Sequence, residues 1–427
     1  MTPDFSSAVY RRSRRAYVLQ CTFEYLIALL IADAFLAKLL SALEIDDATV
    51  GIISSFITLA FTVQILSVLI CRRRMSSKRI STVLNCVGHL LLVFLYLTPF
   101  LPFRGTGIRL IVMGIILVSY AMRYLVATIV FRWANSFVDP NRRADFSAKK
   151  EIVSLLCGMV FTASVGYIFG RFESAGRMDR GFLLIAILVL ILNAANFICF
   201  LCIGKEEAPE NRAVPGMREV LHETLGNKNF RSVICMTVLW EMGRYFTVGF
   251  VGIYKTNDLA IPMFTIQIVN ICGEAARAIL SRPFGKLSDR TSFAHGIEIA
   301  LGIAAAAFLC LMFTGPATWF LIIPYAMLYA VCLAGLNANS FNITYSYVRP
   351  DCIAEAMAIK NCIGGLCGFG ASLLGSRILS YIQGSGNRFL GIEVHGQQVL
   401  AGCSLLLIAG AFLVTHLVIG RQKVLKQ

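Results

Sequence analysis

A chain dominated by apolar residues still places ionisable side chains inside its apolar stretches. Glu24, Asp33, Arg123, Glu241, Arg244, Glu274 and Arg277 are the first candidates for chemistry. A charge in hydrocarbon costs at least about 2 kcal/mol, so such residues face a cavity or a partner and mark substrate or ion paths. Arg123 shares a helical face with Tyr120 and Tyr124. Glu241 and Arg244 are i,i+3 neighbours within Trp240-Glu241-Met242-Gly243-Arg244-Tyr245, a spacing that allows pairing on one helix. A guanidinium can hold an anionic or hydroxyl-rich solute, and Trp240, Tyr120 and Tyr124 can stack on it. A carboxylate paired with an arginine releases that arginine when protonated. Asp33 is therefore the leading proton-coupling acid, followed by Glu241, Glu274 and Glu24. Asn337, Asn339 and Asn342 can hydrogen-bond either a substrate or neighbouring helices. His89 reads as a packed helix residue, and Lys38 as a side chain that snorkels towards the interface.

These residues must be positioned by membrane helices. The chain has 427 residues, 57% hydrophobic and only 15% charged, against roughly 25% charged in soluble domains. Apolar runs of spanning length fall at 17–43, 49–71, 80–100, 107–136, 150–170, 181–203, 231–254, 262–281, 295–313, 316–346, 353–382 and 397–420, which makes twelve. The first is too long and too charged for a cleavable signal and reads as a spanning helix.

The net charge of +15 is distributed as a topology signal. With a cytoplasmic N-terminus, the inner segments carry 25 Lys and Arg and the outer loops seven. The positive-inside rule then puts both termini in the cytoplasm, within a plasma membrane, and removes the case for a nucleic-acid partner. The 14 cysteines lie mostly in apolar runs without Cys-x-x-Cys spacing, which points away from disulfides and metal. No phosphate-binding loop, metal-ligand spacing or nucleophile constellation is present, so neither enzyme activity nor a cofactor is expected.

The chain repeats itself. A shift of 210 residues aligns 137–158 with 347–368 at eight of 22 positions, including Pro140 with Pro350 and Lys150 with Lys360. Residues 120–126 (YAMRYLV) match 325–331 (YAMLYAV), with Leu328 where Arg123 stands, and Ala134-Asn135-Ser136-Phe137 matches Ala338-Asn339-Ser340-Phe341. Span four thus pairs with ten and five with eleven, giving two halves of equal orientation. The expected fold is an all-α membrane protein of 12 transmembrane helices in two parallel six-helix repeats. Its halves are 1–203 and 231–427, joined by a polar segment at 204–230.

Six plus six spans, the central polar segment, and Gly285-x-Leu287-x-Asp289-Arg290 between spans eight and nine resemble the major facilitator superfamily (MFS). The loop between spans two and three, Cys71 to Arg79, lacks the glycine and aspartate of that motif. The resemblance implies a central cavity lined by spans one, four, seven and ten, and rocking of the halves to alternate access. Gly285 is expected to permit a tight turn, with Asp289 and Arg290 forming a gating loop. The expected function is a monomeric secondary transporter of a small polar solute, a sugar or organic anion, by proton-coupled symport. The alternative is proton-coupled drug or metabolite efflux. Span five lacks the glycine-proline signature of the family's drug antiporters, which favours the former.

Overall fold

The computed structural model describes residues 7–65, 78–138, 143–204, 217–340, 342–349, 352–389 and 392–422. Residues 71–77 of the expected counterpart loop, Cys71 to Arg79, and residues 205–216 of the polar 204–230 segment lie outside them. The chain forms two compact units, Met1–Ile45 with Leu66–Ala213, and Asp46–Ile65 with Val214–Gln427. The division does not cut the chain at one point, because the segment Asp46–Ile65 belongs to the second unit.

In the first unit α1 (Ala8–Leu30) begins at Ser7, whose side chain accepts from the Tyr10 amide. It stops at Leu30, where the Tyr96 hydroxyl donates to the freed carbonyl. The chain resumes as α2 (Asp33–Ala42), bent by 43° from α1. Span one is thus a broken helix, not the continuous one its hydropathy suggests. The second unit takes α3 (Asp47–Ser54) and α4 (Phe56–Ala60). The first unit continues with α5 (Lys78–Leu97), α6 (Thr106–Phe137), α7 (Arg143–Ser174) and α8 (Met178–Cys202). Within it α1 packs on α7 and α8, and α5 on α6 and α8.

The second unit continues with the short α9 (Met217–Leu221), α10 (Lys228–Tyr245), α11 (Val248–Ile253), α12 (Met263–Arg290), α13 (Phe293–Met312), α14 (Ile322–Ser340) and α15 (Asn342–Tyr345). A long α16 (Ile353–Gly384), a hairpin of β1 (Arg388–Phe389) and β2 (Ile392–Glu393), and α17 (Gly396–Leu417) complete it. Here α10 packs on α16 and α17, and α13 on α14 and α17. This is the scheme of the first unit with every span advanced by six, as the 210-residue repeat requires.

Ten described helices are long and apolar enough to cross a membrane, or eleven when the bent α1–α2 pair counts as one. The expected seventh span, 231–254, is not among them. It breaks between Tyr245 and Val248, and it carries Arg231, Glu241 and Arg244. Segment α3 lies against α11 and α16. A methyl group built on Gly249 would stand 2.7 Å from the Gly51 carbonyl oxygen, so two backbones meet there without side chains between them.

The Gly285–Arg290 stretch is not a loop. Helix α12 runs through Pro283 to Arg290 and ends only at Thr291, after which the Ser292 side chain caps α13. Gly285 makes no turn, and nothing stands within 4 Å of where its side chain would begin. The helix persists because Phe284 and Ser288, one turn apart, are buried. A side chain added at Gly335 would meet the Phe284 ring at 2.9 Å, and one added at Gly296 would meet the Ser288 hydroxyl. Docking of that face outweighs the local turn preference of glycine and proline. The backbone of Asp289 is helical, Arg290 is exposed, and the Asp289 side chain lies outside the described residues.

Candidate functional site

Each unit carries its own group of ionisable side chains. In the first, Arg123 is half-buried on α6, with its guanidinium 6.0 Å from the centre of the buried Tyr120 ring. Tyr124 is half-buried beside it. Among the described residues no hydrogen bond reaches the Arg123 Nε; the fully buried His89 ring lies beside Asn193 and near Arg123. Asp33 is the first residue of α2, half-buried, with φ at +49° in the left-handed region. It therefore stands at a helix break and not in the middle of a helix.

Glu24 occupies a polar network between helices. Its Oε1 accepts from the Asn85 amide at 2.5 Å, and the Asn85 oxygen accepts from Asn196 at 2.7 Å. Lys38 pairs with Glu173 of α7 at 2.7 Å, a partner that span-end snorkelling did not suggest.

The second unit gathers the larger cluster. Glu241 sits on α10 at its close crossing with α16. Methyl groups built on Gly364 and Gly368 would stand 3.3 Å from the Glu241 Cγ and from its carbonyl oxygen. One turn before Gly364 on α16 is Lys360, 1% exposed, whose ammonium donates to the Ser340 carbonyl at 3.1 Å and to the Ser340 hydroxyl at 3.0 Å. The Ser340 carbonyl also accepts from the Thr344 hydroxyl at 3.4 Å, so the ammonium joins a polar knot on this part of the span. The Glu241 carboxylate lies within Coulombic reach of both Arg244 and Lys360.

Arg244 covers the Tyr245 ring at 4.8 Å and also lies beside Tyr329. Tyr329 stacks on Tyr325 at 5.8 Å, and Trp240 is buried next to Glu241 on α10. Shielded from solvent, the Glu241 Oε2 and the Arg244 Nε have no hydrogen-bond partner among the described residues, and the Tyr329 hydroxyl faces the Arg244 guanidinium. Buried polar atoms are normally paired, so this group has free capacity for a ligand or for water. It offers a carboxylate that can take a proton, a guanidinium that can grip an oxyanion, and a phenol.

The other sequence candidates lie apart from this cluster or do other work. Glu274 and Arg277 pair at 3.5 Å within α12. Asn337 is exposed, whereas Asn339 is buried and donates to the Gly335 carbonyl of its own helix at 2.7 Å. Lys360 and Tyr329 were missed as site residues although the sequence marked both. Lys360 is an ionisable residue inside an apolar run and repeats Lys150, while Tyr329 repeats Tyr124. Lys150 itself stands 5.6 Å from the centre of the Tyr17 ring, on α7 where that helix meets α1.

A family model described as Major Facilitator Superfamily matches residues 16–372. No curated protein sequence matches the chain. Among solved structures, the nucleoside transporter NupG is 14% identical with a TM-score of 0.64, covering 96% of this chain and 99% of that one. A bacterial homologue of the human lysosomal transporter Spinster, inward-facing and unoccupied, is 15% identical with a TM-score of 0.64, covering 97% and 98%. A bacterial metal transporter is 11% identical with a TM-score of 0.62, covering 96% and 98%. At such identities these likenesses concern the fold alone.

Proposed function

This chain belongs to the major facilitator superfamily, and from that premise we propose that it moves a small polar solute, a sugar or an organic anion, in symport with protons. Transport proceeds by alternating access in the cytoplasmic membrane, with both termini in the cytoplasm. The protein acts as a monomer. The observation that carries the reading is the group formed by the buried Lys360 and the half-buried Glu241, Arg244 and Tyr329, set in an apolar helical unit with hydrogen-bonding capacity to spare. Keeping such charges in hydrocarbon costs several kcal/mol, and a fully apolar crossing of α10 and α16 would avoid that cost.

Arg244 supplies the grip on an oxyanion or a vicinal diol, Tyr329 a donor and acceptor, and Trp240 and Tyr245 the apolar and aromatic surface. Arg123 with Tyr120 and Tyr124 supplies similar chemistry from the first unit. Asp33 leads the proton-coupling candidates. Its position at a helix break lets a change in its charge act on the angle between α1 and α2. Glu241, Glu274 and Glu24 follow it, and the end of α12, with Asp289 and Arg290, serves the gate.

The test is uptake by proteoliposomes holding the purified chain under an imposed pH gradient, across sugars, sugar acids and organic acids. Accumulation of at least one solute that collapses with a protonophore supports symport. Counterflow without any response to the gradient limits the protein to uniport, and undiminished gradient-driven uptake by Asp33→Asn removes Asp33 from the coupling role.

A further inference from the structure

The charge of the second unit's cluster separates the two solute classes left open above. Three ionisable groups share it, one carboxylate (Glu241) and two cations (Arg244 and Lys360), which leaves one positive charge in excess. The two cations are not equivalent. Lys360 is fixed, since two hydrogen bonds from its ammonium go to Ser340 and its side chain is sealed from solvent. The crossing at Gly364 and Gly368 holds Glu241 one helical turn away from it. Arg244 is half-buried, lies on the Tyr245 ring and keeps an unpartnered Nε. The half-buried pair Glu274 with Arg277, also in this unit, is neutral in itself.

We propose that Lys360 is the standing counter-ion of Glu241, that it thereby releases Arg244 for the solute, and that the solute is a monoanion whose single carboxylate or equivalent oxyanion Arg244 binds. This deepens the proposed function and rests on it. A neutral sugar would leave a net charge stranded in the low-dielectric crossing, whereas a monoanion completes the neutralisation, and a dianion overshoots it. Guanidinium geometry suits a carboxylate, through two parallel hydrogen bonds, better than an ammonium does. The division of labour between the two cations follows that difference. Lys360 does not touch the solute; it is a positioning residue that acts through Glu241.

The position is part of the architecture. The 210-residue offset places Lys150 at the matching point of α7, and Gly158 at that of Gly368. In each unit this face of the fifth or eleventh span packs on the first or seventh. A side chain at Gly158 would meet Tyr25 of α1 at 2.6 Å. The lysine recurs, and in the second unit Arg244 stands one turn from Glu241.

The experiment compares D-gluconate with D-glucose, which are alike in size and hydroxyls but differ in charge. The readouts are uptake into proteoliposomes and the ligand-induced rise in melting temperature of the purified chain. The wild type is expected to take up gluconate and to leave glucose outside. Lys360→Met should raise the KM for gluconate about tenfold or more, and Lys360→Arg should hold it within about threefold of wild type. The double variant Glu241→Gln with Lys360→Met restores the excess positive charge and should recover the gluconate-induced rise in melting temperature, whatever its effect on coupled uptake, which loss of a merely structural lysine would not allow. Glucose uptake with gluconate excluded would overturn the monoanion assignment while leaving transport of a polar solute intact. An unchanged KM in Lys360→Met, or a double variant that melts like wild type yet shows no gluconate-induced shift, would overturn the role of Lys360. Absence of uptake and of any melting shift with both solutes, and with the wider panel above, would take down the transport reading as well.

Discussion

Gly364 holds Glu241 at contact distance, since a methyl group built on the glycine would stand 3.3 Å from the Cγ of the glutamate. The atoms it would meet there belong to side chains, Thr237 and Glu241, which can yield by a few tenths of an ångström. At the next residue a methyl group on Gly365 would lie 2.4 Å from the carbonyl oxygen of Thr58, where only a backbone shift can make room. Alanine gains up to about 1 kcal/mol over glycine in a helix interior, while overpacking costs about 1–3 kcal/mol. Gly364→Ala should therefore melt within a few degrees of wild type in detergent, and Gly365→Ala should melt clearly lower. Equal melting temperatures would contradict the close approach of α4 to α16.

Asp33 combines a charge with a left-handed backbone, and the two can be separated. Asn tolerates φ near +49° as Asp does, whereas an ordinary residue there costs about 1 kcal/mol. Asp33→Asn should melt closer to wild type than Asp33→Ala, which loses about 1 kcal/mol more through its backbone. A loss of pH-gradient-driven uptake in Asp33→Asn then reports on charge alone. If Asp33→Ala is as stable as Asp33→Asn, the break at α1–α2 does not depend on this residue.

Asn85 is the middle of a chain of three, donating to Glu24 and accepting from Asn196. Asn85→Ala leaves the buried Asn196 amide and the half-buried Glu24 carboxylate without this partner, at up to about 1–3 kcal/mol for each. Asn196→Ala strands only the Asn85 oxygen. Thermal or urea unfolding should rank Asn85→Ala as the more damaging of the two, and the reverse order would break the chain as described.

Outside the spanning helices, Asp258 accepts from Gln397 at 3.1 Å and stands 3.4 Å from His395, while Asp47 binds Gln383 at 2.9 Å and Asn257 at 3.4 Å. Burial pushes the Asp258 carboxyl above its ordinary value, and the Asp47 charge adds to that rise. His395 and the hydrogen bonds from His395 and Gln397 oppose it. A carboxyl raised by folding favours the folded state below its unfolded value of about 4 and loses that contribution as pH rises through the elevated folded value. The melting temperature should therefore carry a downward component with rising pH above about 4 that Asp258→Asn removes. An identical pH profile in the variant would refute this.

The pattern of apolar runs and the 210-residue offset were enough to anticipate paired six-helix repeats, because span length and repeated polar residues are read directly from composition. The broken first span was not legible. It depends on the Tyr96 hydroxyl taking up the Leu30 carbonyl across 66 residues, and no local signal announces that. Gly285 misled for a similar reason: its turn preference is local, whereas the burial of Phe284 and Ser288 that keeps α12 helical comes from other helices. At the site, Glu241 and Arg244 stood out as charges in an apolar run. Lys360 met the same criterion, yet its meaning appears only once α16 is laid on α10. Asn337 had the right residue type, but its neighbour Asn339 occupies the buried face.

The offset that pairs Lys150 with Lys360 also pairs Ser154 with Gly364. Ser154 shares a hydrogen bond with Thr22 at 3.1 Å, fastening α7 to α1, whereas Gly364 leaves room at the same point for a carboxylate. Two copies of one ancestral crossing have thus been released to different constraints. In one copy mutation is filtered by whether the helices stay joined, and substitutions there can compensate one another. In the other the filter is empty space, which no second substitution can restore once a side chain has filled it. By packing alone, position 154 accepts small polar residues that reach Thr22, while position 364 accepts glycine and, at most, alanine.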